Sequence, residues 1–348
     1  MQSGLFDGWV SSLVTLAGGL AALAAIFAIS RWAIFDAVWP FSPVPGNGTV
    51  PAACLQRAGA CWPVVASHGR FILFGSYPAG GAWRPLVATI LLLGLYLYSF
   101  TTRLRGRHLP LLWLGVFACV LLLLDGRYIG LSRVPTDDWG GLVLTLVLAT
   151  GIILGALPLG IALALARLPS SPRPIRFLAT LYVQLLRGIP LISVLLVAAF
   201  VLPLLVPAVL VPDRLDRALV ALILYNAAYF AEVVRSGLQA QPTGQWEAAT
   251  ALGLSWWQTV SRVIMPQALR MMVAPLVITF ITAFKDTSLV LVIGLYDLLT
   301  SARTAIADPV WQDYFIEVYV ATAGLYFLFC FGMSRLAVHL QASVARAR

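Results

Sequence analysis

The sequence predicts an all-α polytopic membrane protein with about eight transmembrane helices. Three observations carry this. Hydrophobic residues make up 60% of the chain and charged residues only 11%, with a mean hydropathy of +0.91, whereas a soluble domain carries about 25% charged residues. Apolar runs long enough to cross a bilayer, about 20 residues, recur along the chain. Most of the breaks between them are short, and the breaks hold most of the arginines. The net charge is +9, and nearly all the positive charge is arginine, since Lys285 is the single lysine. A basic balance also suits nucleic acid. Here the arginines sit between apolar runs, where topology and lipid headgroups account for them, so no nucleic-acid partner is expected.

The elements follow in order. Leu13 to Ile29, continuing to about Trp39, is the first span. Arg31 and Asp36 near its end are placed to pair or to snorkel. No basic n-region or cleavage site precedes it, so it reads as a retained span. Residues 40–84 form a long loop rich in Pro, Gly and aromatics, expected in the periplasm. Asn47-Gly48-Thr49 reads as a turn, and Phe71 to Phe74 is too short to span. Cys54 and Cys61 lie in this loop, where an oxidising compartment makes a disulfide possible. Without a nearby His they are poor zinc ligands, and no metal site is expected. Cys119 and Cys330 fall in apolar runs as packing residues.

Pro85 to Phe100 is the second span, extending back toward Trp83. Arg103, Arg105 and Arg107 follow it and mark the cytoplasmic side. Pro110 to Leu124 is the third span, and Asp125 to Trp139 returns. Gly140 to Leu168 is the fourth, long enough to tilt, with glycines that permit close helix contact. Arg167, Arg173 and Arg176 put its far end inside. Phe177 to Leu210 is too long for one straight span, and Gly188-Ile189-Pro190 predicts a kink or break. After an outer loop at Val211 to Arg217, Ala218 to about Gly237 is the sixth span. Met271 to Leu299 is the seventh and Tyr314 to about Leu336 the eighth, with Ser301 to Asp313 as a return loop. Arg335, Arg346 and Arg348 hold the C-terminus inside. Both termini are then cytoplasmic. The arginine bias is modest, because Arg57, Arg70, Arg84, Arg127, Arg133, Arg214, Arg217 and Arg303 fall outside.

Between the sixth and seventh spans lies the longest stretch of mixed polarity, Gln239 to Arg270. Glu247, Ala248, Ala249 and Ala251 favour a short helix that Gly253 ends as a C-terminal cap. Ser255 is an N-cap for a second short helix, with Gln258 at the capping-box position, and Pro266 is expected to break that helix. Two short helices held between membrane spans make a stiff knob suited to a cleft on a soluble partner.

The sequence excludes several chemistries. It has no Gly-x-x-x-x-Gly-Lys-Ser/Thr phosphate loop, since Lys285 is followed by Asp286. It has no His-Glu-x-x-His and no serine nucleophile elbow, and its three histidines are scattered. The chain is expected to be a non-catalytic subunit. The informative residues are charges at membrane depth, where an ionised group costs about 2.5–3.5 kcal/mol and usually faces a pathway or a partner. Lys285-Asp286-Thr287-Ser288 is expected about midway along the seventh span, as a pathway or gate element or as a structural pair. Glu232 and Arg235 stand three apart on one helix face, and Arg187 beside the kink is placed to pair with an acid. These three read as a structural and gating network. Asn226 and Tyr229 read as interhelical hydrogen-bond formers.

The mixed-polarity stretch resembles the EAA loop of ABC-importer permease subunits. The motif is Glu247-Ala248-Ala249, then Gly253, then an aliphatic pair and proline, here Val263, Met265 and Pro266, where the family usually has Ile and Leu. The resemblance extends to Arg187-Gly188-Ile189-Pro190, Tyr229-Phe-Ala-Glu232-Val-Val-Arg235 and Phe284-Lys285-Asp286-Thr287-Ser288-Leu289, which look like the polar amino-acid permeases of the histidine, glutamine and general L-amino-acid type. It covers about residues 140–337. Three front helices, the two-cysteine loop and Tyr77-Pro78…Trp83-Arg84-Pro85 are similar to the larger general L-amino-acid permease subunits.

The resemblance implies that the last five helices form a type I importer core over residues 140–337. Residues 1–139 are then an extension with three helices, and 338–348 a cytoplasmic tail. It implies a multi-pass protein of the bacterial inner membrane whose loop, about residues 240–270, couples to an ATPase. The implied partners are two ATP-binding subunits that use ATP and Mg, a second and usually different permease, and a periplasmic binding protein that delivers an L-amino acid. A secondary transporter driven by an ion gradient is the alternative. It would need an internal inverted repeat with matched acids, and neither is visible in the sequence.

Overall fold

The computed structural model describes residues 8–39, 50–56, 59–101 and 108–345. Asn47-Gly48-Thr49, Arg57, the arginine triplet Arg103, Arg105 and Arg107, and Arg346 and Arg348 lie outside the described residues. Among the described residues the fold is helical, with five helices long and apolar enough to cross a membrane. One bent helix pair also passes that test, and two shorter apolar helices accompany them. Each apolar run of the sequence corresponds to one of these.

The chain divides into two compact units. One comprises Met1–Arg70 and Arg303–Ala321. Its helix α1 (Trp9–Ser30) carries no buried residue and ends in a π-helical turn, Arg31–Phe35, where Arg31 pairs with Asp36 at 2.9 Å. Short helices α2 (Ala52–Gln56) and α3 (Pro63–Ser67) follow. Cys54 and Cys61 are joined by a disulfide. Cys61 is buried, bridges to Val38, and donates its N–H to the Glu317 carboxylate at 3.0 Å. Trp62 packs against Trp32 and Trp39. A Cβ at Gly59 would lie 2.1 Å from the Asp36 carbonyl oxygen, so no other residue fits beneath this loop.

The second unit is Phe71–Ala302 with Thr322–Arg348. After α4 (Gly69–Phe74), the antiparallel pair α5 (Trp83–Thr101) and α6 (Leu109–Asp125) forms. Gly126 ends α6 at φ 78°, a conformation that favours glycine. Tyr77 donates to the Leu124 carbonyl at 2.8 Å, and burial pushes its hydroxyl above the ordinary tyrosine range. Arg84, though buried, bonds Ser132 through its carbonyl and its hydroxyl.

Helix α7 (Gly141–Ala166) has no charged residue and is the most buried span. Helix α8 (Arg173–Gly188) ends where the sequence predicts a break. Ile189 is extended at ψ 136°, as a residue before proline prefers. The chain turns through 101° into α9 (Leu191–Leu196) and, after a π-helical turn at Val197–Val201, α10 (Leu202–Leu205). Arg217 donates to the Ala198 and Ala199 carbonyls of that turn, where the α-helical ladder is interrupted.

Helix α11 (Arg214–Gln239) begins at an N-cap, Asp213, which accepts the Asp216 N–H at 3.0 Å. It runs parallel to α7. Cβ atoms added at Gly151, Gly155 and Gly160 would meet Leu219, Ile223 and Phe230 at 2.6–2.7 Å, so glycine sets the separation of the two helices.

Beyond α11, α12 (Thr243–Ala251) and α13 (Trp256–Gln258) form the connecting loop. A π-helical turn at Thr259–Ile264 leads directly into α14 (Met265–Asp286). Pro266 therefore does not break the chain. It sits in the first turn of α14, where its missing N–H costs little, and the widened turn before it relieves the clash of its ring with the preceding carbonyls. The seventh span accordingly starts at Trp256, well before Met271. It changes to a 3₁₀ helix at Thr287–Ile293 and turns at Gly294, φ 84°. Helix α15 (Leu298–Ala305) occupies part of the expected return loop, and α16 (Phe315–Ala345) runs past Leu336.

Gly160→Val is expected to destabilise the protein by about 1–3 kcal/mol through overpacking, because its Cβ would press on Phe230 and the Ala231 backbone. Thermal unfolding of the purified protein measures this, and an unchanged midpoint would mean that α7 and α11 are not held at glycine distance.

Candidate functional site

The connecting loop is built from local rules. Ala249 is the buried anchor of α12, while Glu247 and Ala248 on the same helix are exposed. Gly253 ends α12 at φ 72°. Its N–H bonds the Thr250 carbonyl, and the Leu254 N–H reaches back to Ala249, closing the helix C-terminus. The capping box forms, with Ser255 accepting from the Gln258 N–H and the Gln258 side chain accepting from the Ser255 N–H. The expected second short helix is not separate, because α13 is the first turn of the long span ending at Ile293. Val263 and Met265 are half-buried on that span and Pro266 is exposed.

Side chains hold this loop in place. Trp256 donates to Ser170 in the loop between α7 and α8 at 2.8 Å. Gln267 on α14 bonds Gln245 on α12, and Gln241 reaches the Gly237 carbonyl and the Met271 sulfur. Leu252 and Trp257 project outward, 79% and 68% exposed. The loop is a helical knob tied to its neighbours by side chains, with an apolar tip.

The charged network is centred on Glu232. Its carboxylate accepts from Arg235, one turn further along α11. It also accepts from Arg167 at 2.9 Å, and Arg187 lies at 3.3 Å. One acid thus ties α7, α8 and α11 together at the end that leads to the knob, and the surplus charge is positive. Arg187 also stands over the Tyr229 ring at 5.9 Å, and the Tyr229 hydroxyl meets that of Tyr225 at 3.0 Å. Asn226, buried on α11, makes an intrahelical bond to the Leu222 carbonyl at 3.0 Å, where its polarity suggests an interhelical one.

Lys285 to Ser288 sits at a structural junction, not midway along a continuous helix. Asp286 is the last residue of α14, and Thr287 opens the 3₁₀ segment, donating to the Phe284 carbonyl at 2.8 Å. Lys285 is exposed, Asp286 and Ser288 are half-buried, and Thr287 is buried. Asp286 lies within electrostatic reach of Tyr225. The tyrosine pair therefore stands between the Glu232 network and this junction.

With the geometry in place, comparison with known proteins gives a consistent result. Residues 156–346 match the family described as binding-protein-dependent transport system inner membrane component. That match spans the knob, the Glu232 network and the Lys285 junction. The chain belongs to this family. It is 41% identical over 346 residues to the inner membrane amino-acid ABC transporter permease protein YhdY of Escherichia coli (strain K12), covering 98% of this chain and 91% of that protein. It is 31% identical over 406 residues to the glutamate/glutamine/aspartate/asparagine transport system permease protein BztC of Rhodobacter capsulatus, covering 99% and 93%. A solved structure, "Crystal structure of an amino acid ABC transporter with histidines", matches at a TM-score of 0.52 and 30% identity over 58% of this chain and 92% of that chain. This subunit is thus a multi-pass inner membrane component and not itself an enzyme. The family assignment gives no support to the ion-gradient alternative.

Two residues of the permease's polar framework were not singled out in the sequence. Arg167 reads there as a topology marker at a span end, yet it is the shortest link from α7 to Glu232 that does not involve Arg235. Asp297 is fully buried and accepts from the Leu299 and Thr300 N–H groups, the Thr300 hydroxyl and the Tyr326 hydroxyl. Its signal is local: an Asp followed three residues later by Thr at the start of a short helix is an N-cap pattern.

A hydrogen bond to a charged group contributes about 1.5–3 kcal/mol. Glu232→Gln, which strands several arginines, is expected to lower the unfolding midpoint clearly more than Arg187→Gln, which leaves two partners in place. Equal midpoints would show that the carboxylate is not the hub.

Proposed function

We propose that this chain is the transmembrane permease subunit of an ATP-driven, binding-protein-dependent importer of L-amino acids. The observation that carries the reading is the stiff knob at Glu247–Pro266, closed by Gly253, set on a chain with no phosphate loop of its own. Both full-length relatives are named as amino-acid permeases, which supports the substrate class. ATP and Mg are then used by two copies of a separate ATP-binding subunit, and a periplasmic protein delivers the amino acid. A second permease, of a different sequence, completes the pathway. Residues 140–337 are the permease core, residues 1–139 an extension with three helices and the outer loop, and residues 338–348 a cytoplasmic tail. Both termini face the cytoplasm.

On this reading Glu247, Ala248, Ala249, Gly253, Val263, Met265 and Pro266 receive the motion of the ATPase. Because the knob continues into α14 through the π-helical turn without a break, its displacement moves the far end of that helix, where Lys285, Asp286, Thr287 and Ser288 border the pathway. Glu232, Arg235 and Arg187 hold the helices between which the pathway opens and closes, as alternating access requires.

Glu247→Lys or Gly253→Pro is expected to abolish co-purification of the ATPase and ATP-dependent uptake while the protein still inserts. A proline at 253 is incompatible with φ 72°. Wild-type levels of both activities in either variant would remove the coupling role. After reduction, Cys54, the less buried of the pair, should be labelled in spheroplasts by a membrane-impermeant thiol reagent. If labelling instead requires broken membranes, the orientation is reversed.

A further inference from the structure

The loop after α7, the first turns of α8 and the end of α11 border an open cavity of about 510 Å³ lined by Arg167, Arg173, Arg176, Phe177, Thr180 and Arg235. Four of these are arginines and none is an acid. The nearest carboxylate, Glu232, is already engaged by Arg167, Arg187 and Arg235. Arg173 and Arg176 enter no ion pair among the described residues, and Arg176 uses one N–H on the Pro169 carbonyl at 3.3 Å. The cavity therefore holds positive charge that the chain does not neutralise. Guanidinium groups bind phosphate oxygens in bidentate fashion and keep their charge at any physiological pH.

The surroundings narrow the ligand further. Phe177 in the lining is 66% exposed, and Ile175, Leu178, Leu181 and Leu185 continue an exposed apolar surface along α8. A molecule with an anionic head and an apolar body satisfies both features at once, with its head among the arginines and its chains along α8. The Trp256–Ser170 bond places the cavity at the same end of the helices as the knob. That end is cytoplasmic on the reading proposed above, and the leaflet assigned here rests on that reading. Basic clefts between helices at this depth suit anionic headgroups.

We propose that this cavity binds the phosphate group of an anionic phospholipid from the cytoplasmic leaflet. The phosphodiester lies between Arg173 and Arg176 and competes with Glu232 for Arg167 and Arg235. The lipid thereby acts on the ion pairs that tie α7, α8 and α11.

The test is native mass spectrometry of the purified full-length chain, titrated with phosphatidylglycerol, with phosphatidylcholine of the same acyl chains, and with inorganic phosphate. Phosphatidylglycerol should be retained about tenfold more tightly than phosphatidylcholine, a difference of about 1.4 kcal/mol. Arg173→Gln with Arg176→Gln should lose that preference, and Arg173→Lys with Arg176→Lys should keep most of it because charge is preserved. Equal retention of the two lipids, or undiminished preference in the glutamine double variant, overturns the proposal. Displacement of the bound lipid by inorganic phosphate at equal concentration assigns the site to a soluble anion and also overturns it. The readout involves no transport, so a chain that fails the uptake and coupling tests still gives a clear answer here.

Discussion

The contact between α7 and α11 is the constraint on which the rest depends. Inside a bilayer, lipid tails are as apolar as leucine, so helices are held by close packing and polar links, not by exclusion from water. Gly160 lets α11 approach so closely that a Cβ there would meet the Phe230 Cβ and the Ala231 backbone, and at Gly151 and Gly155 the Leu219 and Ile223 side chains fill the space a Cβ would take. The two ends of the contact are then pinned by polar groups. At one end Gly140 and Gly141 bridge to Tyr296 and Asp297, with Thr145 and Ser301 accepting backbone N–H groups. At the other, Arg167 reaches Glu232. A helix with no charge of its own is thereby fixed in depth and rotation.

That arrangement decides how charge is placed. One carboxylate serves three guanidiniums, and these come from three helices. Arg235 shares α11 with the acid, so the links to the neighbouring helices are Arg167 and Arg187. Buried or half-buried ion pairs of this kind are weak evidence for stability and better evidence for a specified geometry. The arginines left over, Arg173 and Arg176, face a cavity that the chain leaves without a counter-ion.

The knob has the opposite character. Its stiffness comes from short-range rules, a glycine cap and a capping box, and from the Trp256, Gln267 and Gln241 bonds that tie it to the adjoining elements. Its exposed apolar tip, Leu252 and Trp257, is costly to leave in water and suits burial against a partner. Since α13 is already the first turn of the seventh span, the knob passes into that span as one continuous helix.

The sequence by itself determined the helical class, the eight apolar runs, the break at Gly188-Ile189-Pro190, the Gly253 cap and the Ser255–Gln258 box. All of these are set by hydropathy or by residues a few positions apart, so neighbours in the chain suffice to decide them. Glu232 with Arg235 was legible for the same reason, and Arg187 was recognised as a possible partner. Only the tertiary structure decided that Arg167, 65 residues from Glu232, completes the hub. It also decided that Asn226 turns back on its own helix and that Lys285 stands at a helix junction. Pro266 passing without a break likewise depends on a widened turn whose energy comes from packing, which no local propensity records. Long-range pairing in a membrane is fixed by which small residues let which helices touch, and that choice is made only when the whole chain has folded.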